Sequence, residues 1–270
     1  MLNLMYITKE PSIAEIVQGA GVSRVFVDME YINKDIRQAG LDTVKNHHTI
    51  SDVQNVRGVL SSAELLVRVN PIHGNSKQEI DSVIESGADI IMLPMWKTPQ
   101  EVSEFIGIVG KRAKTMLLLE TKEALTCLED VVNISGIDEI HIGLNDLHLS
   151  LNKKFLFELL ADGTLDSIAE ILKKTKIPFG FGGFGRIGEG LLPAQLIVAE
   201  HYRLGSSMAI LSRSFCDLRY ITDKNAIEQR FISGIKELRE YEKYLADCDE
   251  SFFEASHLEL QGYIEKIIGR

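Results

Sequence analysis

The most constraining feature of this chain is an alternation of short aliphatic runs with amphipathic segments, which continues almost to its end. Runs rich in β-branched and aliphatic residues predict strands. The eight runs are Leu4–Ile7, Arg24–Asp28, Leu65–Asn70, Asp89–Met95, Thr115–Glu120, Glu139–Gly143, Pro178–Gly182 and Ser207–Leu211. Between them, apolar residues recur at the i, i+3, i+4, i+7 spacing of a helix that buries one face. The pattern therefore predicts a repeated strand–helix unit.

The joints between these units also repeat. Gly21, Gly87, Gly136 and Gly205 each follow a helical pattern and precede a strand, at the position where a left-handed residue commonly ends a helix. The strand bodies are almost entirely apolar, which is typical of a parallel sheet covered on both faces. Eight such units in about 220 residues favour a (β/α)8 TIM barrel. Periodicity alone does not exclude a doubly wound sheet.

The last part of the chain exceeds what a barrel needs. We predict a barrel domain over 1–220 and C-terminal helices over 221–270, namely one long helix followed by a short one around Leu258–Ile268. Surplus apolar residues such as Phe252 and Leu260 pack either on the same barrel or on a neighbouring subunit. The second alternative predicts a homo-oligomer.

Composition narrows the classes of partner. The chain carries 29 Lys and Arg against 39 Asp and Glu, for a net charge of -10. An acidic surface without a basic stripe repels nucleic acid and anionic membranes. The three cysteines are far apart in sequence, which argues against a disulfide framework or a zinc site. The chain starts without signal-peptide features and lacks a membrane-length apolar run, so we expect a cytoplasmic protein with neither nucleic-acid nor membrane partners.

Polar residues stand at the ends of several apolar strands, where barrels carry their functional groups. They are Asp28, Glu30, Arg68, Glu120, Asn145 and Asp146. Glu120 and Asp146 end adjacent strands, so their carboxylates could converge on one hard cation whose other ligands are water and substrate oxygens. A helix cap is the alternative for each acid. Arg68 either forms an ion pair or grips a substrate carboxylate or carbonyl with two hydrogen bonds.

Five segments of the chain resemble, in order and spacing, the HpcH/HpaI aldolase and citrate lyase beta-subunit family of metal-dependent pyruvate aldolases. These segments read FVDMEY, LLVRVNP, ESGADIIMLPM, LLLETKEAL and GIDEIHIGLNDL. The similarity runs from about Ile13 to Arg213. It implies a (β/α)8 barrel in which Glu120 and Asp146 hold Mg²⁺, Mn²⁺ or a similar ion. It also implies that Arg68 steadies the enolate oxygen of pyruvate.

One departure from the family concerns the catalytic base. Many members read D-x-E-H after the second strand, with the Asp and His acting as a base pair, but Tyr31 stands here where the His is expected. A tyrosine is a poor base near neutral pH because its ordinary pKa is about 10. We therefore assign Asp28 a catalytic role, with proton transfer by His48, by His47 or by a metal-bound water, and we favour His48. Alternatively, the two histidines only precede a helix.

A glycine-rich run from Gly180 to Arg186 follows the seventh predicted strand. Barrels often bind anions through backbone N–H groups at this place, although glycines also serve tight turns. We predict substrate contacts from Gly182, Gly183 and Arg186 in this run. The further predicted substrate-binding residues are Glu30, Tyr31 and Asn145.

Together these features predict a divalent-metal-dependent carbon–carbon lyase, a class II aldolase whose substrates are a small keto acid and an aldehyde. It would form or cleave a 2-keto-3-deoxy or 4-hydroxy-2-oxo acid through a pyruvate enolate. The resemblance leaves two alternatives open. One is a CoA-ester lyase of the citramalyl or malyl type, and the other is a keto-acid or sugar-acid binding barrel that has lost turnover.

Overall fold

The repeated units close into a (β/α)8 barrel, as the sequence predicts. The computed structural model describes residues 1–32 and 48–269. Its eight parallel strands pair in the order β1 to β8, and β8 returns to β1. The strands are β1 Asn3–Ile7, β2 Arg24–Asp28, β3 Glu64–Arg68, β4 Ile90–Leu93, β5 Lys114–Leu119, β6 Glu139–Ile142, β7 Phe179–Phe184 and β8 Met208–Leu211.

Helices connect the strands and cover the outside of the barrel. Those up to β8 are α1 Pro11–Gly19, α2 Ile50–Arg57, α3 Ser76–Glu85, α4 Pro99–Val109, α5 Lys122–Thr126, α6 Leu128–Val131, α7 Leu144–Ser150, α8 Glu158–Ala161, α9 Thr164–Thr175 and α10 Ala194–Leu204. Gly21, Gly87, Gly136 and Gly205 all have positive φ. The predicted glycine joints are therefore confirmed.

Side chains alternate between two apolar clusters along each strand. Residues that point outward, such as Ile140 and Ile142 of β6, pack in the large cluster between strands and helices. Those that point inward fill the barrel, and they are Met5, Phe26, Leu66, Ile90, Met92, Met116, Leu118 and Met208. The interior is thus a packed core. The polar side chains that point inward lie toward the two ends of the barrel.

The amino end of the barrel carries a group of ion pairs around the buried Arg24. Arg24 donates through Nη1 and Nη2 to Glu139 at 2.6 and 2.7 Å, and through Nε to Glu64 at 2.9 Å. Lys114 reaches the second oxygen of Glu64 at 2.6 Å. Glu64 and Glu139 therefore both have cationic partners.

Two long helices follow the barrel, α11 Lys224–Ala246 and α12 Glu250–Ile268. Helix α11 packs on α1 and α10, and α12 packs on α8 and α10. The prediction of a short second helix is wrong, because Asp249 caps a helix that begins eight residues before Leu258. Leu258 remains 67% exposed. Within the described residues, no helix combines the length and apolarity that crossing a bilayer requires.

Candidate functional site

The carboxyl end of the barrel holds a small cavity lined by most of the strand-end residues. Its volume is about 230 Å³. Predicted site residues that line it are Arg68, Glu120, Asn145, Asp146, Gly182 and Gly183. The structure therefore brings these six residues together at one mouth. Phe26, Met92 and Leu118 supply an apolar floor.

Arg68 is fixed in this cavity by the neighbouring strand. Asp28 and Arg68 are in register on β2 and β3, so the guanidinium donates through Nε and Nη2 to the two carboxylate oxygens at 2.8 Å each. Glu30 adds an ion pair at 3.5 Å. Burial lowers the pKa of Arg68, but these two carboxylates outweigh burial and raise that pKa well above its usual value. Arg68 therefore stays charged, and Asp28 acts as its positioning partner.

Glu120 is a buried carboxylate at the end of β5. Its Oε1 accepts the backbone N–H of Met95 at 3.1 Å, and Met95 adopts left-handed geometry with φ 54°. Burial raises the pKa of Glu120 to about 8. The charge of Arg68 opposes that shift, whereas the charges of Asp146 and Glu30 add to it. A cation beside Glu120 would remove this penalty on the ionised form.

The absence of a side chain at Gly143 leaves space for the carboxylate of Glu120. This glycine follows β6, and its N–H donates to the Leu119 carbonyl at 3.0 Å. A Cβ added at Gly143 would lie 2.9 Å from Oε2 of Glu120 and 3.0 Å from its Cβ. The position of the carboxylate therefore depends on a glycine, which the sequence pattern alone shows only as a strand end.

The donor set fits a hard divalent cation. Glu120 and Asp146 line both the central cavity and a neighbouring one of about 300 Å³. Within the part of the chain that the structure describes, His, Cys, Asp and Glu form no group of three that could hold a metal ion. A cation here would thus take two carboxylates from this chain, a number common for Mg²⁺, which keeps water and substrate oxygens as its other ligands.

His48 lies beside this site in a second cavity of about 400 Å³ at the carboxyl ends of β1 and β8. Its Nδ1 accepts the backbone N–H of Asp28 at 2.9 Å. We assign the proton of the neutral ring to Nε2, since Nδ1 is the acceptor. A base role for His48 would therefore require a different ring arrangement, and it stays a prediction. His47 lies outside the described residues.

Three predicted substrate contacts do not line the central cavity. Tyr31 is 61% exposed and lines a separate surface cavity beside Asn70. Arg186 donates through Nη2 to Glu237 of α11 at 2.7 and 2.8 Å. The structure thus corrects the assignment of Arg186, because its guanidinium is used to hold a C-terminal helix. Glu30 is buried against Arg68 and contacts the site through that residue.

His141 is a titratable residue of the cavity that the predicted set lacks. His141 of β6 lines the central cavity and is 1% exposed. Burial lowers the pKa of His141 to about 3, and the positive charges of Arg24 and Arg68 act in the same direction. The alternation in Glu139–Gly143, where polar or small residues separate two isoleucines, carries a signal for this inward position.

Comparison with known proteins finds a matching family model and a similar curated protein. A family model described as HpcH/HpaI aldolase/citrate lyase matches residues 3–155, more than half of the chain. A hydroxypyruvate/pyruvate aldolase from Rhizorhabdus wittichii is 25% identical over 162 residues, which are 47% of this chain and 63% of that protein. The match therefore spans less than two thirds of that relative's length.

Solved structures share the fold at low sequence identity. An HpcH/HpaI aldolase/citrate lyase family protein from Burkholderia cenocepacia has a TM-score of 0.62 and 15% identity, covering 84% of this chain and 93% of that one. A citrate lyase from Burkholderia xenovorans has a TM-score of 0.56 and 13% identity, covering 100% of this chain and 93% of that one. These likenesses support the barrel architecture.

Proposed function

Because the chain belongs to the HpcH/HpaI aldolase/citrate lyase family, we propose that it is a divalent-metal-dependent carbon–carbon lyase. It would form or cleave a 4-hydroxy-2-oxo or 2-keto-3-deoxy acid from a pyruvate-type keto acid and an aldehyde. The observation that carries this proposal is the pair of carboxylates, Glu120 and Asp146, that shares one cavity with Arg68. A cytoplasmic location and self-association belong to the same proposal as predictions from the sequence.

Glu120 and Asp146 are the residues that would hold the cation. When bound, it supplies positive charge to the oxygens of the keto acid as negative charge accumulates there. The raised pKa of Glu120 supports this assignment, because a buried carboxylate beside other carboxylates is poorly stabilised without a nearby cation. Asp146 is half-buried at the start of α7 and adds its negative charge to the same position.

Arg68 would supply the second positive charge. Asp28 occupies Nε and Nη2, and Nη1 makes no hydrogen bond to the residues that the structure describes. In the cleavage direction the C4 hydroxyl loses its proton to a base, the bond between C3 and C4 breaks to release the aldehyde, and the electron pair left on C3 delocalises onto the C2 oxygen. A guanidinium held in place before the reaction stabilises that charge without reorganising, which is the usual source of large rate effects in such sites. Asp28 contributes by holding the guanidinium.

The apolar floor would keep water away from the reacting carbon. Phe26, Met92 and Leu118 lie below the carboxylates and bring few competing polar groups. In a dry site, the charges of Arg68 and the carboxylates act more strongly than they would in water. This arrangement favours formation of an enolate from a small keto acid.

Exchange of the pyruvate methyl protons in D₂O, followed by NMR with added Mn²⁺, tests the proposal. We expect exchange with the wild-type protein and none with Glu120→Ala, whereas Glu64→Gln at the opposite end should keep it. A protein that binds pyruvate without exchanging its protons would be a binding barrel, which would overturn the proposal. Two further assays would separate an aldolase from a CoA-ester lyase: pyruvate with a panel of aldehydes as acceptors, and acetyl-CoA as the carbon nucleophile with pyruvate as the acceptor.

A further inference from the structure

His141 occupies a position inside the barrel that the mechanism above does not use. On β6 it pairs in register with Leu118 of β5 and with Gly180 of β7. Its outward-pointing neighbours, Ile140 and Ile142, pack under the helices, while His141 itself lines the cavity that contains Glu120 and Asp146. The imidazole therefore faces the same space as the proposed cation site.

Neither ring nitrogen of His141 has a hydrogen-bond partner among the residues that the structure describes. A backbone group of Gly182 lies near enough to favour the protonated ring, yet the contact lacks hydrogen-bond geometry. Buried polar groups are almost always paired, since an unpaired one is destabilising. The partner of His141 must then come from whatever fills the cavity.

The surroundings of His141 define the chemistry of that partner. The ring is neutral at physiological pH, so it offers one N–H donor and one acceptor nitrogen. The residues around it in the cavity include the apolar Phe26, Met92 and Leu118, which cannot form hydrogen bonds. Arg68, above them, is already oriented by Asp28. His141 is therefore a polar group with which an oxygen atom of a small ligand in this cavity can pair, beside Asn145 and Ser212 of the same lining.

We propose that His141 hydrogen-bonds an oxygen of the bound keto acid and thereby determines how tightly that acid is held. This inference rests on the proposed function, because it takes the keto acid as the ligand of the cavity. It makes His141 a substrate-binding residue whose loss weakens ligand affinity more than it affects the bond-breaking step. A site that pairs with a ligand oxygen also discriminates against ligands that lack it.

Oxalate, a planar analogue of the pyruvate enolate, is the probe. Its dissociation constant is measured by isothermal titration calorimetry on the Mn²⁺-loaded protein for the wild type, His141→Phe and His141→Gln. We expect His141→Phe to weaken oxalate binding about tenfold, as the loss of one hydrogen bond to a charged ligand does. The amide of His141→Gln should restore most of the affinity. Mn²⁺ affinity, measured without oxalate, should be unchanged in both variants.

His201 offers a matched control. It is also fully buried, and its Nε2 likewise has no partner among the described residues. However, its ring stacks on Phe181 with the ring centroids 3.7 Å apart, and His201 does not line the cavity. Oxalate affinity should therefore be unchanged in His201→Gln. Melting curves of all variants identify any loss of fold.

The outcomes separate the inference from the proposed function. A folded His141→Phe that binds oxalate as tightly as the wild type overturns the role of His141 alone, and so does an equal loss in His201→Gln. A wild-type protein that neither binds oxalate nor exchanges pyruvate protons overturns the proposed function, and the inference with it. In steady state, we expect the KM for pyruvate to rise in His141→Phe with a smaller change in kcat.

Discussion

Glu64 and Glu120 are acids at opposite ends of the same barrel, and their surroundings shift their pKa values in opposite directions. Burial acts to raise the pKa of Glu64, but hydrogen bonds from Lys114 and Arg24 more than compensate, so it is lowered. Burial likewise raises the pKa of Glu120, to about 8, but there Asp146 and Glu30 add to the shift. Among the described residues, Glu120 has no ion-pair partner within 4 Å.

The opposite pKa shifts of Glu64 and Glu120 distinguish the amino end of the barrel, which is structural, from the carboxyl end, which we propose is functional. At the amino end, Arg24 and Glu64 are paired with opposite charges from the chain itself, and these ion pairs help to close the barrel. At the carboxyl end, Glu120 is buried without an ion-pair partner among the described residues, and His141 is buried with neither ring nitrogen hydrogen-bonded to them. Such groups persist where a ligand completes their interactions. The comparison therefore predicts that equivalent substitutions at the two ends have different consequences.

The largest difference should appear between the two inward arginines. We expect Arg68→Lys to reduce kcat/KM on the order of 100-fold, because an ammonium cannot keep the two-pronged contact with Asp28 while facing the substrate. Arg24→Lys should leave kcat/KM unchanged and lower the free energy of unfolding by about 1–3 kcal/mol. Steady-state kinetics and chemical denaturation measure both effects. Wild-type activity in Arg68→Lys would make Arg68 an ordinary ion-pair partner.

The pH dependence of metal binding should follow Glu120. Its carboxyl holds a proton below about pH 8 in the metal-free protein and must lose it to bind a cation. We therefore expect Mn²⁺ affinity to rise between pH 6 and 8, by up to about tenfold per pH unit. Calorimetry in buffers of different ionisation enthalpy should detect the released proton. Affinity independent of pH over this interval would contradict the raised pKa.

Stability of the metal-free protein should show the same contrast between the ends. The unfolded chain releases the Glu120 proton near the ordinary value of 4.5, while the folded protein keeps it to about 8, so Glu120 lowers stability as the pH rises through this window. Glu64 has the opposite sign, since its lowered pKa contributes stability that is lost in acid. Between about pH 4.5 and 8, the free energy of unfolding should fall less in Glu120→Gln than in the wild type, whereas Glu64→Gln should not reduce this fall.

A smaller effect is expected from Gly143→Ala. The added methyl group would press on the carboxylate of Glu120 from 2.9 Å and displace it. Changes that disturb the orientation of a metal ligand commonly weaken binding at least about tenfold. Gly107→Ala is the control, because nothing lies within 4 Å of a Cβ added at that helical position. Equal Mn²⁺ affinity in the two variants would show that Glu120 tolerates the shift.

The smallest effect should come from His48→Ala. Its Nδ1 hydrogen bond to the Asp28 amide supports the end of β2, and we expect the loss of one such bond to change kcat/KM no more than about fivefold. The pH–rate profile should keep its shape. A loss of about 100-fold, together with disappearance of an apparent pKa near 6.5, would instead identify His48 as the catalytic base.

The repeated pattern of the sequence predicted much of the fold. All eight strands lie close to the predicted runs, since continuous apolar segments and glycine joints are local signals. β7 extends to Phe184, past the predicted end at Gly182, because a register irregularity between Gly180 and Gly183 lets the strand continue. Such an irregularity depends on the neighbouring strand β8 and has no signature in the run itself.

The site was predicted less completely, and for a physical reason. Strand-end acids such as Glu120 stand out against apolar neighbours, so composition reveals them. The direction of a long side chain depends on residues that are distant in sequence. Arg186 was assigned to the substrate, but its guanidinium forms an ion pair with Glu237 of α11. The alternation in Glu139–Gly143 places His141 on the opposite side of the strand from the two isoleucines, but it does not show that this side reaches the cavity, so His141 was missed.

A Mn²⁺ titration of the wild type, Glu120→Gln, Asp146→Asn and Glu64→Gln tests most directly whether the carboxyl end of the barrel holds one cation between two carboxylates. We predict one Mn²⁺ per chain in the wild type and in Glu64→Gln, and binding weakened by at least about tenfold in each of the other two variants. Mn²⁺ binding of wild-type stoichiometry and affinity in both Glu120→Gln and Asp146→Asn would contradict the site.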